Sequence, residues 1–295
     1  MPGPLSQLKS RSKGRYNLMQ IAMIQDKIVP FERLEPVYLD RGTFFGDGVY
    51  EVVRSYKGRI FALEDHLARF ANSLSAIEIK GVDIDLIRAR VKKAFDAAGI
   101  ADARIYFHVT RGSDQRNHTW PDNLKPNFFL TVTQITDRPE TKTKGIAVST
   151  HPDWRWKRCD IKSLNLLPNV LAKQKAAREG CQEAIFVNEA GLITEGSHSA
   201  FFTIFGRKLQ TAELSTSILP SITRKFVLQA AKDIRLEIVE KSLTPREAAG
   251  ADELFIAVTT EDIVPVVRFE EKVIGDGTPG SSTKKLIEKF RSFTR

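Results

Sequence analysis

The chain has 295 residues, 42% of them hydrophobic and 27% charged, which is typical of a globular protein with core for one large or two modest domains. Two cysteines are too few for a disulfide scaffold and fit a reducing cytoplasm, and no apolar run approaches the roughly 20 residues of a membrane span. Part of the net charge of +9 lies in Lys9, Arg11, Lys13 and Arg15, and the other basic residues are interleaved with acids. We therefore predict a basic surface suited to anionic small molecules rather than a nucleic-acid-binding protein, the main non-enzyme alternative.

Residues 1–15 are predicted to form a disordered extension. They lack the apolar core of a secretory signal, and their amphipathic pattern is poor for an organelle address. We expect the fold to begin near Tyr16, with a first strand around Ile21–Ile24.

Residues 40–72 combine a turn, a strand and a helix. Three glycines, at positions 42, 46 and 48, mark the turn, residues 49–53 alternate as a strand, and Lys57–Gly58 predicts a hairpin. A helix that begins at or near Asp65 carries His66 and Arg69. On their own, Arg69 is typical of an exposed helical arginine and His66 of a packing residue.

A second helix is predicted over residues 82–99 and a strand over Ala103–Thr110, which contains Tyr106. A polar loop, residues 111–121, follows and contains Arg116 and His118. In isolation such a pair is typical of an exposed loop. The glycosylation sequon at Asn117–Thr119 is disfavoured because no secretory signal accompanies it.

The polar, proline-containing residues 136–145 predict a linker between an N-terminal domain, residues 16–135, and a C-terminal domain, residues 146–295. After the linker, Lys162 lies in a short extended segment before a helix-like run that stops at Gly180. Strands at 184–187 and 192–194 then place Glu195 at a strand end. The lysine and the glutamate could face one pocket.

Two further features are predicted in the C-terminal part. A helix begins after Pro220–Ser221 and runs to about Ile234, so its N-terminal N–H groups suit a phosphate. A buried strand, Leu254–Val258, precedes Thr259 and Thr260. The glycine-rich run at 275–280 is a turn before the last helix, because too few residues follow it for a dinucleotide-binding unit. No metal site is predicted.

Several of these segments together resemble the fold-type IV pyridoxal-phosphate enzymes, which include branched-chain and D-amino acid aminotransferases and aminodeoxychorismate lyase. The matching segments are D-I-K-S-L-N, A-I-F-V-N and T-E-G-S, together with R-G…F-G-D-G-V-Y-E…H-L-A-R near the N-terminus. The resemblance implies that Lys162 forms a Schiff base with the cofactor and that Glu195 lies against its pyridine nitrogen. It also implies that the cofactor is bound by Arg69, Leu219, Ile222, Thr223 and Thr259.

The loop pattern R-G-x-x-x-R-x-H, followed by proline, resembles the D-amino acid aminotransferases within this family. The resemblance implies a homodimer in which Arg116 and His118 enter the partner subunit's site and hold the substrate carboxylate together with Tyr50, with Tyr106 close to the substrate. The expected reaction is transamination between D-amino acids, such as D-alanine and D-glutamate, and 2-oxo acids. The alternatives are a branched-chain or (R)-amine transaminase and aminodeoxychorismate lyase.

The expected fold class is α/β (α+β) with two domains. The resemblance implies a mostly antiparallel sheet in the N-terminal domain and a pseudo-barrel in the C-terminal domain. Two departures from the family's pattern, Arg54 and the run His198–Ala200, bear on the cofactor contacts and on the preferred substrate side chain.

Overall fold

The structure is a computed structural model that describes residues 20–294 and, as backbone, residues 11–12 and 15–16. Most of the predicted N-terminal extension therefore lies outside the described residues. Tyr16, near which the fold is expected to begin, is described as backbone in a two-residue strand. The strands are β1 Arg11–Ser12, β2 Arg15–Tyr16, β3 Ile21–Ile24, β4 Lys27–Pro30, β5 Gly48–Tyr56, β6 Arg59–Ile60, β7 Ala103–Thr110, β8 Asn127–Gln134, β9 Ile146–Pro152, β10 Glu183–Val187, β11 Ile193–Gly196, β12 Ala200–Phe205, β13 Lys208–Thr211, β14 Glu237–Glu240, β15 Glu253–Val258, β16 Asp262–Phe269 and β17 Lys272–Val273. The helices are α1 Arg41–Phe45, α2 Leu63–Ala76, α3 Ile84–Ala98, α4 Pro139–Lys144, α5 Leu167–Arg178, α6 Ile222–Asp233, α7 Pro245–Ala248 and α8 Ser281–Phe293.

The N-terminal half contains a four-stranded antiparallel sheet in the order β6-β5-β7-β8. Its apolar face packs against α2 and α3 in one core, which includes Phe70, Val91 and Phe107. The helix predicted over residues 82–99 is confirmed as α3, which Asp83 caps at the N-terminus and Gly99 ends in the left-handed conformation. Helix α2 begins two residues before the predicted start, because the left-handed backbone of Ala62 turns the chain into it early.

The C-terminal half is built on a nine-stranded mixed sheet in the order β11-β10-β9-β16-β15-β12-β13-β14, with β17 paired to β16. Strand β9 is parallel to both β10 and β16, and β13 is parallel to β14, whereas the other pairs are antiparallel. The path of neighbouring strands does not join its two ends, so the sheet is a curled half-barrel rather than a closed barrel. The expected α/β fold class is confirmed.

The segment that carries Lys162 joins the two sheets. It leaves the C-terminal half and runs along the start of β5, where Val49 and Ser163 form an antiparallel bridge. The Tyr50 N–H donates to the Lys162 carbonyl at 3.0 Å, and the Leu164 N–H donates to the Gly48 carbonyl at 3.0 Å. These bonds place the lysine at the junction between the sheets.

Helix α5 begins at Leu167, later than the apolar spacing from Leu164 predicted. Pro168 favours a helix start at this point, since its ring suits the first turn and removes no helical hydrogen bond there. The apolar side chains of Leu167, Val170 and Leu171 face outward, and the helix instead packs inward through Ala172 and Ala176. None of the helices in the described part of the chain is long and apolar enough to span a bilayer.

Candidate active site

A cavity of about 290 Å³ lies between the two sheets, near the lower end of the roughly 300–1,000 Å³ typical of ligand sites. Side chains from both halves of the chain line it, and several of them are titratable. The lining residues with polar or charged side chains are Tyr50, Arg69, Arg104, Arg155, Trp156, Cys159, Lys162, Ser163, Asn165, Asn169, Glu195, Ser197, His198, Ser199, Ser221, Thr259 and Thr260.

Lys162 is half-buried at the cavity wall, and its backbone is bonded on both sides. Its N–H donates to Ser73 Oγ in α2 at 3.1 Å, and its carbonyl accepts from β5. The ammonium nitrogen lies 4.3 Å from the centre of the Tyr50 ring. The backbone is therefore fixed while the side chain faces the cavity, which suits a residue that must attach to a ligand and detach from it.

Glu195 lies across the same cavity and is buried. Its Oε1 accepts from Arg155 Nη1 at 2.5 Å and from the Leu219 N–H at 3.1 Å, whereas Oε2 has no hydrogen-bond donor among residues 20–294. Burial raises the pKa of Glu195, although Arg155 and the Leu219 N–H act in the opposite direction. The carboxylate thus keeps one oxygen for a donor in the cavity.

Sequence reasoning missed Arg155 and its second partner, Asp153. Asp153 binds the Arg155 guanidinium at 2.7 Å and also accepts from Thr194 Oγ1 at 3.0 Å. Nothing in the local pattern D-W-R-W marks these residues, because the partner of Arg155, Glu195, is 40 residues further along the chain.

Arg69 and His66 share the buried carboxylate of Glu51. Arg69 donates Nε to Oε1 and Nη2 to Oε2, both at 2.8 Å, and His66 Nδ1 lies 2.7 Å from Oε2. Burial alone would raise the pKa of Glu51, but Arg69 and His66 outweigh it and lower that pKa to about 2. Burial also lowers the pKa of His66, an effect that Glu51 opposes. The interpretation of Arg69 as an exposed helical arginine is wrong.

The third nitrogen of Arg69 connects this cluster to the start of α6. Arg69 Nη1 donates to the Pro220 carbonyl at 3.1 Å, next to the N-terminus of that helix. Ser221 is the N-cap, and its Oγ accepts from the Arg224 N–H at 3.1 Å. The N–H groups of Ile222 and Thr223 lie in the first turn, where a helix offers no internal acceptor.

The remaining predicted cofactor ligands line the cavity or follow a lining residue in the chain. Leu219 and Thr259 line it, whereas Ile222 and Thr223 are buried just behind the lining residues. A buried guanidinium, the N-cap of α6 and the threonines Thr259 and Thr260 therefore border the same cavity as Lys162 and Glu195. This arrangement fits a phosphate-bearing ring compound.

Of the residues predicted to bind substrate, Tyr50 and its neighbour Tyr106 lie at the cavity or next to it, whereas Arg116 and His118 do not. Tyr50 lines the cavity, and its ring lies 5.8 Å from that of Tyr106, whose hydroxyl lies 2.9 Å from His108 Nδ1. Burial raises the pKa of Tyr106. Arg116 and His118 are exposed and do not line this cavity in their own chain.

Comparisons with known proteins define the class. The family model "Amino-transferase class IV" matches residues 48–269, so the chain belongs to the class IV aminotransferases, whose cofactor is pyridoxal 5'-phosphate. The D-alanine aminotransferase of Bacillus licheniformis is 39% identical over 251 residues, 84% of this chain and 87% of that protein. The D-alanine aminotransferase of Staphylococcus haemolyticus is 35% identical over 258 residues, 87% of this chain and 91% of that protein.

Solved structures share the fold at lower identity. The Escherichia coli branched-chain amino acid aminotransferase matches with a TM-score of 0.82 at 22% identity, covering 90% of this chain and 92% of that one. The T.th. branched-chain amino acid aminotransferase, complexed with N-(5'-phosphopyridoxyl)-L-glutamate, matches with a TM-score of 0.80 at 24% identity, covering 94% and 95%. At these identities the likeness concerns the fold alone.

Proposed function

We propose that this protein is a D-amino acid aminotransferase that exchanges the amino group between D-amino acids, including D-alanine and D-glutamate, and 2-oxo acids. The observation that carries the proposal is the 39% identity, over 84% of the chain, to an enzyme named D-alanine aminotransferase. The branched-chain alternative rests on structures of 25% identity or less, such as the enzyme of Thermoproteus uzoniensis with norvaline.

Within this proposal, different residues around the cavity would bind different parts of pyridoxal phosphate. When bound, the cofactor supplies an electron-withdrawing ring that stabilises negative charge at the substrate Cα. Lys162 would hold it covalently, and the free Oε2 of Glu195 would accept from its ring nitrogen. Arg69, the first turn of α6 and Thr259 would bind its phosphate, and Leu219 would contact it through the turn that also donates to Glu195.

Lys162 also suits the role of proton carrier. Its nitrogen lies at the cavity wall beside the Tyr50 ring, and once free of the cofactor it can take a proton from Cα and return one. Glu195 is held by Arg155 and Leu219, so its oxygens keep their positions while charge develops nearby. Neither task requires a large movement of the backbone.

Substrate recognition is the part of the proposal that requires a second copy of the chain. Arg116 and His118 do not line the cavity of their own chain, which supports their proposed role in a partner subunit's site beside Tyr50. Exposed apolar side chains within residues 154–171, a segment that also contributes cavity-lining residues, support a homodimer, because a monomer rarely leaves such a group in water. They are Trp154, Trp156, Leu167, Val170 and Leu171.

The location and the division into domains are also proposals. Cys159 and Cys181 are both free thiols, which supports a reducing compartment such as the cytoplasm. Helix α4 lies in the proposed 136–145 linker, between the four-stranded and the nine-stranded sheet.

A panel of amino donors in both enantiomers, scored with pyruvate and with 2-oxoglutarate, tests the function. We expect D-alanine and D-glutamate to react and their L-enantiomers to react poorly, with the cofactor absorbance following each half-reaction. A preference for L-leucine would replace the proposal with the branched-chain alternative. Reaction of an (R)-amine without need of a carboxylate would favour the amine transaminase, and pyruvate release from aminodeoxychorismate would favour the lyase.

Mixed dimers test the shared site separately. A Lys162→Ala homodimer should be inactive, and an Arg116→Ala homodimer should be strongly weakened at low D-alanine concentration. If the loop serves the partner, their heterodimer contains one site with both residues intact and should recover about one working site. Absence of recovery would place the loop in the site of its own chain.

A further inference from the structure

Arg41, the first residue of α1, contacts three successive carbonyl groups of the loop that carries Arg116 and His118. Its Nη1 donates to the Asn117 carbonyl at 2.6 Å and to the Thr119 carbonyl at 3.3 Å, and Nη2 donates to the His118 carbonyl at 3.2 Å. The Arg41 side chain is only 3% exposed, although the loop side chains above it are exposed. The loop is thus held from its buried side.

The guanidinium is itself fixed by a carboxylate. Arg41 Nε donates to Asp47 Oδ2 at 2.8 Å, and Asp47 also accepts from Arg111 Nε at 2.9 Å. Arg111 in turn donates to the Glu78 and Ile77 carbonyls, at 3.0 and 2.7 Å. The Arg41 side chain therefore has little freedom to follow the loop if the loop moves.

Helix α1, which presents Arg41, is anchored at both ends. Asp40 accepts from the Gly42 N–H at 2.6 Å and from Thr110 Oγ1 at 2.8 Å, which ties the N-terminus of α1 to the end of β7. At the other end the φ of +65° at Gly46 favours glycine, and a Cβ there would lie 2.5 Å from Asn165 Oδ1 and displace that side chain.

The ring of Phe45, at the end of α1, lies close to the side chains of Arg41, Arg116 and His118. The guanidinium carbons of Arg41 and Arg116 lie 4.9 and 5.1 Å from its centre, and the His118 ring lies 5.4 Å away. The loop residues that the proposed function assigns to the substrate carboxylate therefore share one support with the arginine that binds their backbone.

We infer that Arg41 is a positioning residue for substrate recognition: it fixes the backbone of residues 117–119 so that Arg116 and His118 are presented together to the substrate carboxylate. The inference rests on the proposed function. A fixed loop loses less conformational freedom on binding, so preorganisation lowers the substrate concentration that the enzyme needs. Arginine is required because its planar fork reaches three carbonyls and one carboxylate at once, which a lysine ammonium cannot do.

Arg41→Lys in the holoenzyme tests this role. The variant keeps a cation beside Asp47 and loses the three-carbonyl contact. We expect the KM for D-alanine to rise roughly tenfold, with kcat within about twofold and the cofactor absorbance unchanged. An amine without a carboxylate should react at the wild-type rate. Arg88→Lys is the matched control, since Arg88 pairs with Glu64 far from the loop, and its kinetics should equal those of the wild type.

The same substitution in an Arg116→Ala/His118→Ala background separates positioning from general structural damage. If Arg41 acts through these two side chains, Arg41→Lys should change the KM for D-alanine by less than about twofold in this background. An undiminished effect, or equal losses with D-alanine and with the amine, would overturn the inference. If Arg41→Lys fails to fold, Asp47→Asn loosens the guanidinium instead, and a smaller rise confined to the KM for D-alanine is then the expected result and its absence the refuting one.

The kinetics of the wild-type enzyme with D-alanine distinguish failure of the proposed function from failure of the positioning role of Arg41. A wild-type enzyme that does not react with D-alanine contradicts the proposed function, whatever the variants do. A wild-type enzyme that reacts, with an Arg41→Lys variant of unchanged KM, contradicts only the positioning role.

Discussion

Replacement of Glu51 with glutamine removes the carboxylate that Arg69 and His66 share. The glutamine side chain has almost the same shape, but its amide NH2 group is a hydrogen-bond donor and would face the donor groups of Arg69 or His66. The buried charge of Arg69 also loses its negative partner. Breaking one side of a buried ion pair costs roughly 3–5 kcal/mol. The pKa leads to a similar magnitude: a carboxyl group whose pKa falls from 4.5 to about 2 on folding contributes about 3 kcal/mol to stability.

The pH dependence of this contribution has a definite sign. Because the folded pKa of Glu51 lies below the unfolded value of 4.5, its contribution is complete above that pH and is lost as the pH falls toward about 2. The Glu51→Gln variant has no carboxylate at this position and so has no such contribution to lose on acidification. Its stability should therefore fall less steeply between these two pH values than that of the wild type.

Urea unfolding of the wild type and the variant, near neutral pH and at several acidic values, measures both effects. We expect a loss of roughly 3–5 kcal/mol near neutral pH and weaker retention of the cofactor, since Arg69 would no longer be held in place. Glu64→Gln is the control: this glutamate pairs with Arg88 in water, with 67% of its side chain exposed, and should cost at most about 1 kcal/mol. A Glu51→Gln loss below about 1 kcal/mol with an unchanged pH slope would refute the reasoning.

Four further substitutions or treatments probe the proposed site. Lys162→Ala should abolish transamination and the absorbance of the lysine-bound cofactor, and borohydride reduction followed by peptide mapping should label Lys162 in the wild type; label on Lys157 would contradict the assignment. Glu195→Gln should keep the cofactor and lose much of the turnover, and full turnover would place the partner of the ring nitrogen elsewhere. Arg116→Ala should cost roughly 2–4 kcal/mol in kcat/KM for D-alanine while leaving amines without a carboxylate largely unaffected, and unchanged D-alanine kinetics would exclude a carboxylate contact. Because burial raises the pKa of Cys159 to about 11, iodoacetamide should modify it far more slowly than a free thiol near neutral pH, and rapid labelling would show that the thiol is accessible and ionised.

The elements that sequence reasoning predicted well are those with strong local signals. Strand β7 matches its predicted bounds, and α6 begins at Ile222 and ends one residue before the predicted Ile234, because alternation and a serine N-cap are encoded within a few residues. The bounds of α5 were predicted less well, because its apolar side chains face outward and its inner face consists of small alanines. The spacing of apolar residues predicts an apolar helix face, but it does not show whether that face packs against the core of the same chain.

The supports of the candidate site could not be predicted in the same way. Family motifs pointed to Lys162, Glu195 and Arg69, and the structure brings these three residues to one cavity. Arg155 and Arg41 reach partners 40 and 76 or more residues away, so no window of the sequence contains both ends of the contact. Buried arginine contacts of this kind become visible only when the chain is folded.

The parallel pairing of β9 with β16 bears on how the enzyme is made on the ribosome. The Thr150 N–H donates to the Glu270 carboxylate, so segments 120 residues apart in sequence must meet before the middle of the large sheet is complete. Closing a loop of that length costs on the order of 4 kcal/mol of chain entropy, which few contacts repay until the last strands have been synthesised. A nascent chain that stops before β16 would already contain Lys162 and a finished four-stranded sheet, yet the strands beside its future cavity would have unpaired edges. Completion of β16 and the residues after it, rather than synthesis of the lysine segment, would then set the time at which cofactor can bind.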